Sequence, residues 1–244
     1  MTPVPRPVLV FDVLGTLVDQ GGSLVAEVRV AAPDVDAPRV VATWLARVGE
    51  QEGAVLAGRR SFAPSHELDH EVLAGLAGEG ALPAVAVDRL ATAAERLRPW
   101  PDSAEGVALL ARDFTVLGLS NASRRTLEAL GVGLAWHGTV SAEDAGTYKP
   151  APALYAAAVV SAGEASATGH AADHAARPGA VEPVMVAAHA WDLRAAACAG
   201  MRTAYVPRPQ GDAPRADDAF DLHAADLADL HARLLAGGLG PQLS

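Results

Sequence analysis

The stretch Val8-Leu9-Val10-Phe11-Asp12-Val13-Leu14-Gly15-Thr16-Leu17-Val18-Asp19 decides the fold. An apolar run that stops at a carboxylate and then at Gly-Thr predicts a buried parallel strand. Such a strand delivers Asp12 to the carboxyl edge of a sheet, where α/β proteins bind ligands. An aspartate ahead of a glycine is also ordinary turn chemistry, so this stretch alone leaves a catalytic and a structural role open.

Downstream, residues 20 to about 100 carry helical punctuation and no convincing strand run. Asp36-Ala37-Pro38 begins a stripe of Val41, Trp44, Leu45 and Val48, a helix started by a cap and an early proline. Further helices are expected over about 66–77 and, from Pro83, about 83–97. Trp100-Pro101-Asp102 marks the exit from this block. The α/β pattern then resumes, with a helix over about 103–112 and a second buried strand, Phe114 to Asn121, ending in Ser120-Asn121. A hydroxyl and an amide at a strand end can bind an anion, and they equally can cap the helix expected over 123–131.

Gly138-Thr139-Val140-Ser141 and Ala142-Glu143-Asp144 lead to Tyr148-Lys149-Pro150-Ala151-Pro152-Ala153-Leu154-Tyr155. Lys149 is the only lysine among 19 basic residues in a chain that otherwise uses arginine. The two are not interchangeable where a flexible point charge is needed. Val184 to Asp192 reads as a further buried strand ending in a carboxylate, followed by a helix closed at Gly200 and a strand at 202–206. Ala219-Phe220-Asp221-Leu222 and a helix over about 225–235 close the sheet. Residues 161–182 are a low-complexity mixture, read as a flexible insertion. Within it His170 and His174 have the spacing of a zinc pair on a helix but lack a third fixed ligand.

Half of the 244 residues are hydrophobic, enough for a sizeable core. A net charge of −10 argues against nucleic-acid and anionic-membrane partners, because no excess of cations exists to neutralise phosphates. An anionic substrate then has to be caught by local groups. No segment has the length of a membrane span, and Met1 to Pro7 does not read as a signal peptide. The lone Cys198, in an Ala-rich helical run, is expected to be a small buried residue. A cytoplasmic protein is expected.

The first stretch resembles motif one of the haloacid dehalogenase superfamily, whose aspartate is a nucleophile that forms an aspartyl ester or phosphate. Ser120-Asn121 resembles motif two, the segment around Lys149 motif three, and Val184 to Asp192 motif four. The resemblance implies a Rossmann-like parallel-sheet α/β core (1–19 and 100–244) with a helical cap subdomain inserted after the first strand (20–99). Most phosphatases of the superfamily carry a second aspartate where this chain has Leu14. Magnesium-dependent relatives place two carboxylates four residues apart where it has Ala188 and Asp192. With these acids missing, no metal and no other cofactor is expected, and the resemblance narrows to the L-2-haloacid dehalogenase branch.

That branch implies attack by Asp12 on the halogen-bearing carbon of a small 2-haloacid, then hydrolysis of the ester. Thr16, Ser120 and Lys149 would position Asp12 and the substrate carboxylate, with Tyr155 also on the substrate side. Asn121 would touch the halide, and Asp192 would hold Lys149 and assist water. His189 stands where the best-known dehalogenases have asparagine, and Ala187 where they have serine. His189 can orient the hydrolytic water or act as its base, or simply pack. The branch's halide-binding arginine comes from the early cap, where Leu45 occupies the matching position. Arg47 is the candidate, with Arg59 and Arg60 as alternatives. A phosphatase with a weakened magnesium site and a silent binding protein on the same fold are the competing functions. Exposed apolar cap helices would suit a homodimer.

Overall fold

The computed structural model of the chain describes residues 6–167 and 182–239. In chain order, β1 (Val8–Asp12) and the short β2 (Val18–Asp19) precede α1 (Gln20–Ala31), α2 (Ala37–Leu56), α3 (Ser65–Gly78), α4 (Val87–Ala91) and β3 (Arg98–Pro99). Then come α5 (Ser103–Leu110), β4 (Thr115–Ser120), α6 (Arg124–Gly131), β5 (Gly138–Ser141), α7 (Ala142–Ala145) and α8 (Pro152–Ala167). The chain closes with β6 (Val184–Ala187), α9 (Ala190–Cys198), β7 (Arg202–Tyr205), β8 (Leu222–His223) and α10 (Leu227–Leu235). Among these residues no helix is long and apolar enough to cross a membrane.

Six strands form one parallel sheet in the order β5-β4-β1-β6-β7-β8. β1 lies inside it, between β4 and β6, and every one of its residues is buried. Its side chains alternate, as strand geometry demands. Leu9 and Phe11 join the apolar cluster with Val107, Leu110, Leu227 and Leu230 of α5 and α10. Val8 and Val10 join the opposite cluster with Tyr155 and Ala158 of α8 and Leu193 of α9. Helices therefore cover both faces, and the nearly unbroken apolar strands follow from that.

The helices between β1 and β4 have a third cluster, which includes Leu24, Val28, Val41, Trp44, Leu73, Leu76 and Leu90. Val13 and Ala122, each just past a strand end, belong to it and tie it to the sheet edge. Asp36 caps α2 by accepting from the Arg39 amide at 3.2 Å, a contact of the kind worth about 1 kcal/mol. Two-residue strands β2 and β3 pair antiparallel at the base of the block, strands that helical punctuation did not reveal.

Three expectations need correction. The helix expected over 83–97 is broken into a 3-10 turn at Ala84–Ala86, α4, and a second 3-10 turn at Ala93–Arg96. The strand expected to run to Asp192 ends at Ala187, and Asp192 stands in the first turn of α9. Cys198 is exposed, at the last residue of that helix. Of the segment 161–182, residues 161–167 continue α8, and 168–181, with His170, Asp173 and His174, lie outside the described residues.

Candidate active site

Asp12 is the last residue of β1 and is 6% exposed. Lys149, on the segment entering α8, places Nζ 2.9 Å from Asp12 Oδ1 and 2.6 Å from Asp192 Oδ2. The ammonium is buried between the two carboxylates. Tyr155, in the first turn of α8, donates its hydroxyl to Asp192 Oδ1. Thr16 donates to Asp12 Oδ2 at 2.6 Å while its own oxygen accepts the Ala188 amide at 2.9 Å. A hydroxyl has one proton, so the second bond fixes the direction of the first. His189 Nδ1 lies 3.1 Å from Asp12 Oδ2. An ionised carboxylate only accepts, which assigns the proton of that bond to Nδ1.

The turn that carries these groups is braced from behind. Gly15 has φ of 84°, and a Cβ there would lie 2.6 Å from His189 Cε1, so the turn excludes any side chain for two reasons. Trp100 Nε1 donates to the Gly15 carbonyl at 2.9 Å, and Arg208 Nε to the Thr16 carbonyl at 2.9 Å. Arg208 is itself paired with Asp102 at 2.8 Å. Neither Trp100 nor Arg208 was singled out from the sequence as part of this brace.

Electrostatics follow from the geometry. Burial acts to raise Asp12, but the Lys149 ammonium, His189 and Thr16 outweigh it and hold the carboxyl well below the usual range. Burial opposes charge on Lys149 too, and the two aspartates more than restore it. Burial, with the charge of Asp12 added, raises Asp192, against the bonds from Lys149 and Tyr155. His189 is lowered by burial and raised further by its bond to Asp12 and by the charges of Asp12 and Asp192, for a net rise. The result is an ionised, low-basicity Asp12 held by one fixed cation.

Ser120 is buried at the end of β4, with Oγ accepting the Ala122 amide at 3.1 Å. Asn121 follows, its Oδ1 accepting the Lys149 amide at 2.8 Å and its Nδ2 donating to Glu52 of α2 at 2.9 Å. Glu52 was not anticipated. The available signal was a charge between Val48 and Val55 in one stripe of α2. Arg47 is placed elsewhere: its guanidinium makes a bidentate pair with Glu79 at 2.7 and 2.8 Å and is part-exposed. Arg60 pairs with Glu71 and Gln51.

These residues do not suit a magnesium ion. Leu14 packs against the apolar cluster of the helical block, Ala188 is buried without a ligand atom in its side chain, and the Lys149 ammonium stands between Asp12 and Asp192. Mg²⁺ requires several hard oxygen ligands, and here a cation already neutralises the carboxylates.

A family model for haloacid dehalogenase-like hydrolases matches residues 7–200. No curated protein matches the sequence significantly. Among solved structures, the L-2-haloacid dehalogenase PA0810 is 30% identical, with a TM-score of 0.80 over 94% of this chain and 99% of that one. The defluorinating L-2-haloacid dehalogenase Rha0230 is 28% identical, with a TM-score of 0.80 over 96% and 98%. The L-2-haloacid dehalogenase from Xanthobacter autotrophicus with chloropropionic acid covalently bound is 24% identical and shares the fold, with a TM-score of 0.73 over 94% and 98%. With a strand-end aspartate, a buried lysine and a family model that spans most of the sheet, the chain belongs to the haloacid dehalogenase-like hydrolases.

Proposed function

We propose that this protein hydrolyses the carbon–halogen bond of a small 2-haloacid through an ester on Asp12, without a metal. The observation that carries the reading is the buried Asp12–Lys149–Asp192 row, in which an ammonium does the neutralising and Leu14 and Ala188 offer no metal ligand. An Asp12 oxygen forms a bond to the substrate carbon as the carbon–halogen bond breaks, and the halide leaves with the bonding pair. Water then attacks the Asp12 carbonyl carbon, which returns the carboxylate and releases a 2-hydroxyacid inverted at that carbon. Two accessible steps replace one difficult displacement by water.

In this reading Lys149, Thr16 and Ser120 orient Asp12 and the substrate carboxylate, Asn121 contacts the halide, and Tyr155 acts through Asp192. The helical block over 20–99 serves as a cap; its contacts across the site include Tyr148 Oη to the Ala63 carbonyl at 2.5 Å and the Ser123 amide to Ser65 Oγ at 2.9 Å. His189 changes role during the cycle. Its affinity for a proton depends on a bond to Asp12 and on the charge of Asp12, and esterification removes that charge. With that charge gone the imidazolium releases one proton to solvent, and the neutral ring accepts a proton from water as the water attacks the Asp12 carbonyl. The enzyme is placed in the cytoplasm, acting on a small anionic substrate.

The test is halide release from a panel of 2-haloacids with and without EDTA, followed by a single turnover in ¹⁸O-water. Release that survives EDTA, with the label found in Asp12 after one turnover, is expected. An absolute magnesium requirement, or label only in the product, would sink the ester route.

A further inference from the structure

One acidic side chain reaches the site from the helical block. Val48, Glu52 and Val55 follow one another along α2 at helical spacing, and the two valines pack on the cluster that contains Tyr148 and Tyr155. Glu52 faces the same way, and its Oε2 accepts from Asn121 Nδ2 at 2.9 Å. The amide cannot be turned round, because its Oδ1 already accepts the Lys149 amide at 2.8 Å. Asp69 of α3, with Tyr148 and Lys149 from the segment before α8, are the charged and titratable groups that surround the Glu52 carboxyl.

We propose that protonated Glu52, together with the Asn121 amide, forms the hydrogen-bonding seat of the departing halide and so sets which halides the enzyme releases. The inference rests on Asn121 as the halide contact. An ionised Glu52 beside Asn121 would repel a halide and has no proton to offer it, while the second N–H of the Asn121 amide stays free for the anion in either form. A neutral Glu52 keeps its carbonyl oxygen on Asn121 and offers its O–H to the anion. During displacement Glu52 keeps its proton, the halide takes the electron pair from carbon, and the negative charge it gains is met by two donors. Because hydrogen-bond acceptance falls from fluoride to iodide, such a seat favours the smaller halides.

Burial raises this carboxyl and the Asp69 charge adds to that, against the Asn121 bond and Lys149, so that it is pushed up to about 7. The neutral form is therefore present at working pH and scarce in alkali.

The experiment is calorimetric titration of the resting protein with fluoride and with chloride between pH 6 and pH 8, in two buffers of different ionisation enthalpy. Affinity is expected to be about tenfold tighter at pH 6 than at pH 8, following the neutral fraction. Proton uptake should approach one per halide at the alkaline end, and fluoride should bind more tightly than chloride. Glu52→Gln keeps a donor and the shape, and should bind halide with no dependence on pH over this range. The proton uptake of the unaltered protein needs no variant, so it decides the matter even if the variant folds poorly. Absence of halide binding, binding without proton uptake, or a pH dependence that persists in Glu52→Gln and so belongs to His189, would each overturn the proposal. Turnover is scored separately. Halide-linked proton uptake without release from any 2-haloacid would support the seat and sink the dehalogenase reading, whereas release with pH-independent halide binding would sink only the seat.

Discussion

Two pairs of carboxyls stand in this site and in the helical block beside it, and of the four only Asp12 is driven down. At the sheet edge Asp12 and Asp192 share the Lys149 ammonium, and Asp12 is held far below the usual carboxylate range. In the helical block Asp69 accepts from the Trp44 indole at 2.7 Å and Glu52 from the Asn121 amide, both neutral donors, and burial pushes each carboxyl up to about 7. Burial opposes charge in all four cases; at Asp12 the Lys149 cation, His189 and Thr16 together overcome it, whereas at Asp192, Asp69 and Glu52 burial wins. Under the proposed mechanism the nucleophile must keep its charge and the hydrogen-bond donor to halide must stay neutral, so the position of the chain's one lysine would divide the two roles.

Removing the charge itself has the largest expected effect. Asp12→Asn keeps the shape and should lower turnover about a thousandfold or more while the fold survives, as for other groups acting in a covalent step. Near-normal rates would end the ester mechanism. Lys149→Gln would give the core pair the same kind of neutral partner as the cap pair. Asp12 should then titrate much higher, and the remaining activity should gain a rise with pH, as Asp12 ionises, that the parent lacks. Lys149→Arg keeps the charge but needs room for a planar fork, and a loss of about a hundredfold is expected. As the only lysine side chain, Lys149 can also be followed by amine labelling, which should be slow and slower still with a 2-haloacid present. Rapid labelling and a fully active Arg variant would break the comparison on its core side.

The core side was legible in the sequence because its meaning is local. Asp12 ends an apolar run, and Lys149 stands out in a chain otherwise built with arginine. Asp192 was recognised as a residue but assigned to a strand. β6 stops early for reasons supplied by distant partners: the Ala188 amide is taken by Thr16 Oγ1, and His189 bridges to Asp212. The cap side was illegible for the same reason carried further. Glu52 is a surface-type residue on an amphipathic helix until a contact 69 residues away gives it a role, and Asp69 depends on Trp44, 25 residues off. Cys198 sits in an Ala-rich helix whose faces differ little in hydrophobicity, so the pattern did not show which side faces solvent.

Asp69 gives the next largest effect, and it is one of stability. Its carboxyl is raised from 3.8 to about 7 on folding, so the folded chain holds a proton that the unfolded chain releases. The stability it contributes is fully present below about pH 4 and is lost as pH rises through about 7. Asp69→Asn keeps the acceptor for Trp44 without a titrating proton. It should match the parent below pH 4 and exceed it by about 4 kcal/mol at pH 8, read by denaturant unfolding across that range. Equal pH dependence in parent and variant would mean that Asp69 is not kept neutral, and would remove half of the cap side of the comparison.

The smallest effect is expected where an acid and a base meet in solvent. Arg47 was the sequence's candidate for halide, yet it is paired with Glu79 on the surface of the helical block, and both side chains are substantially exposed. Water screens such a pair, and the geometry gives Arg47 no bond to Asp12, Lys149, Asp192 or Asn121. Arg47→Ala should leave turnover within about twofold of the parent, because exposed pairs contribute little and no reacting group loses a partner. Its halide affinity should keep the pH dependence assigned to Glu52. Both measurements use the same assays as Glu52→Gln, so the two variants on one helix separate a carboxyl facing inward from a guanidinium facing out. A large loss of halide affinity in Arg47→Ala would return the halide contact to arginine, and Glu52 would then be only a brace for Asn121.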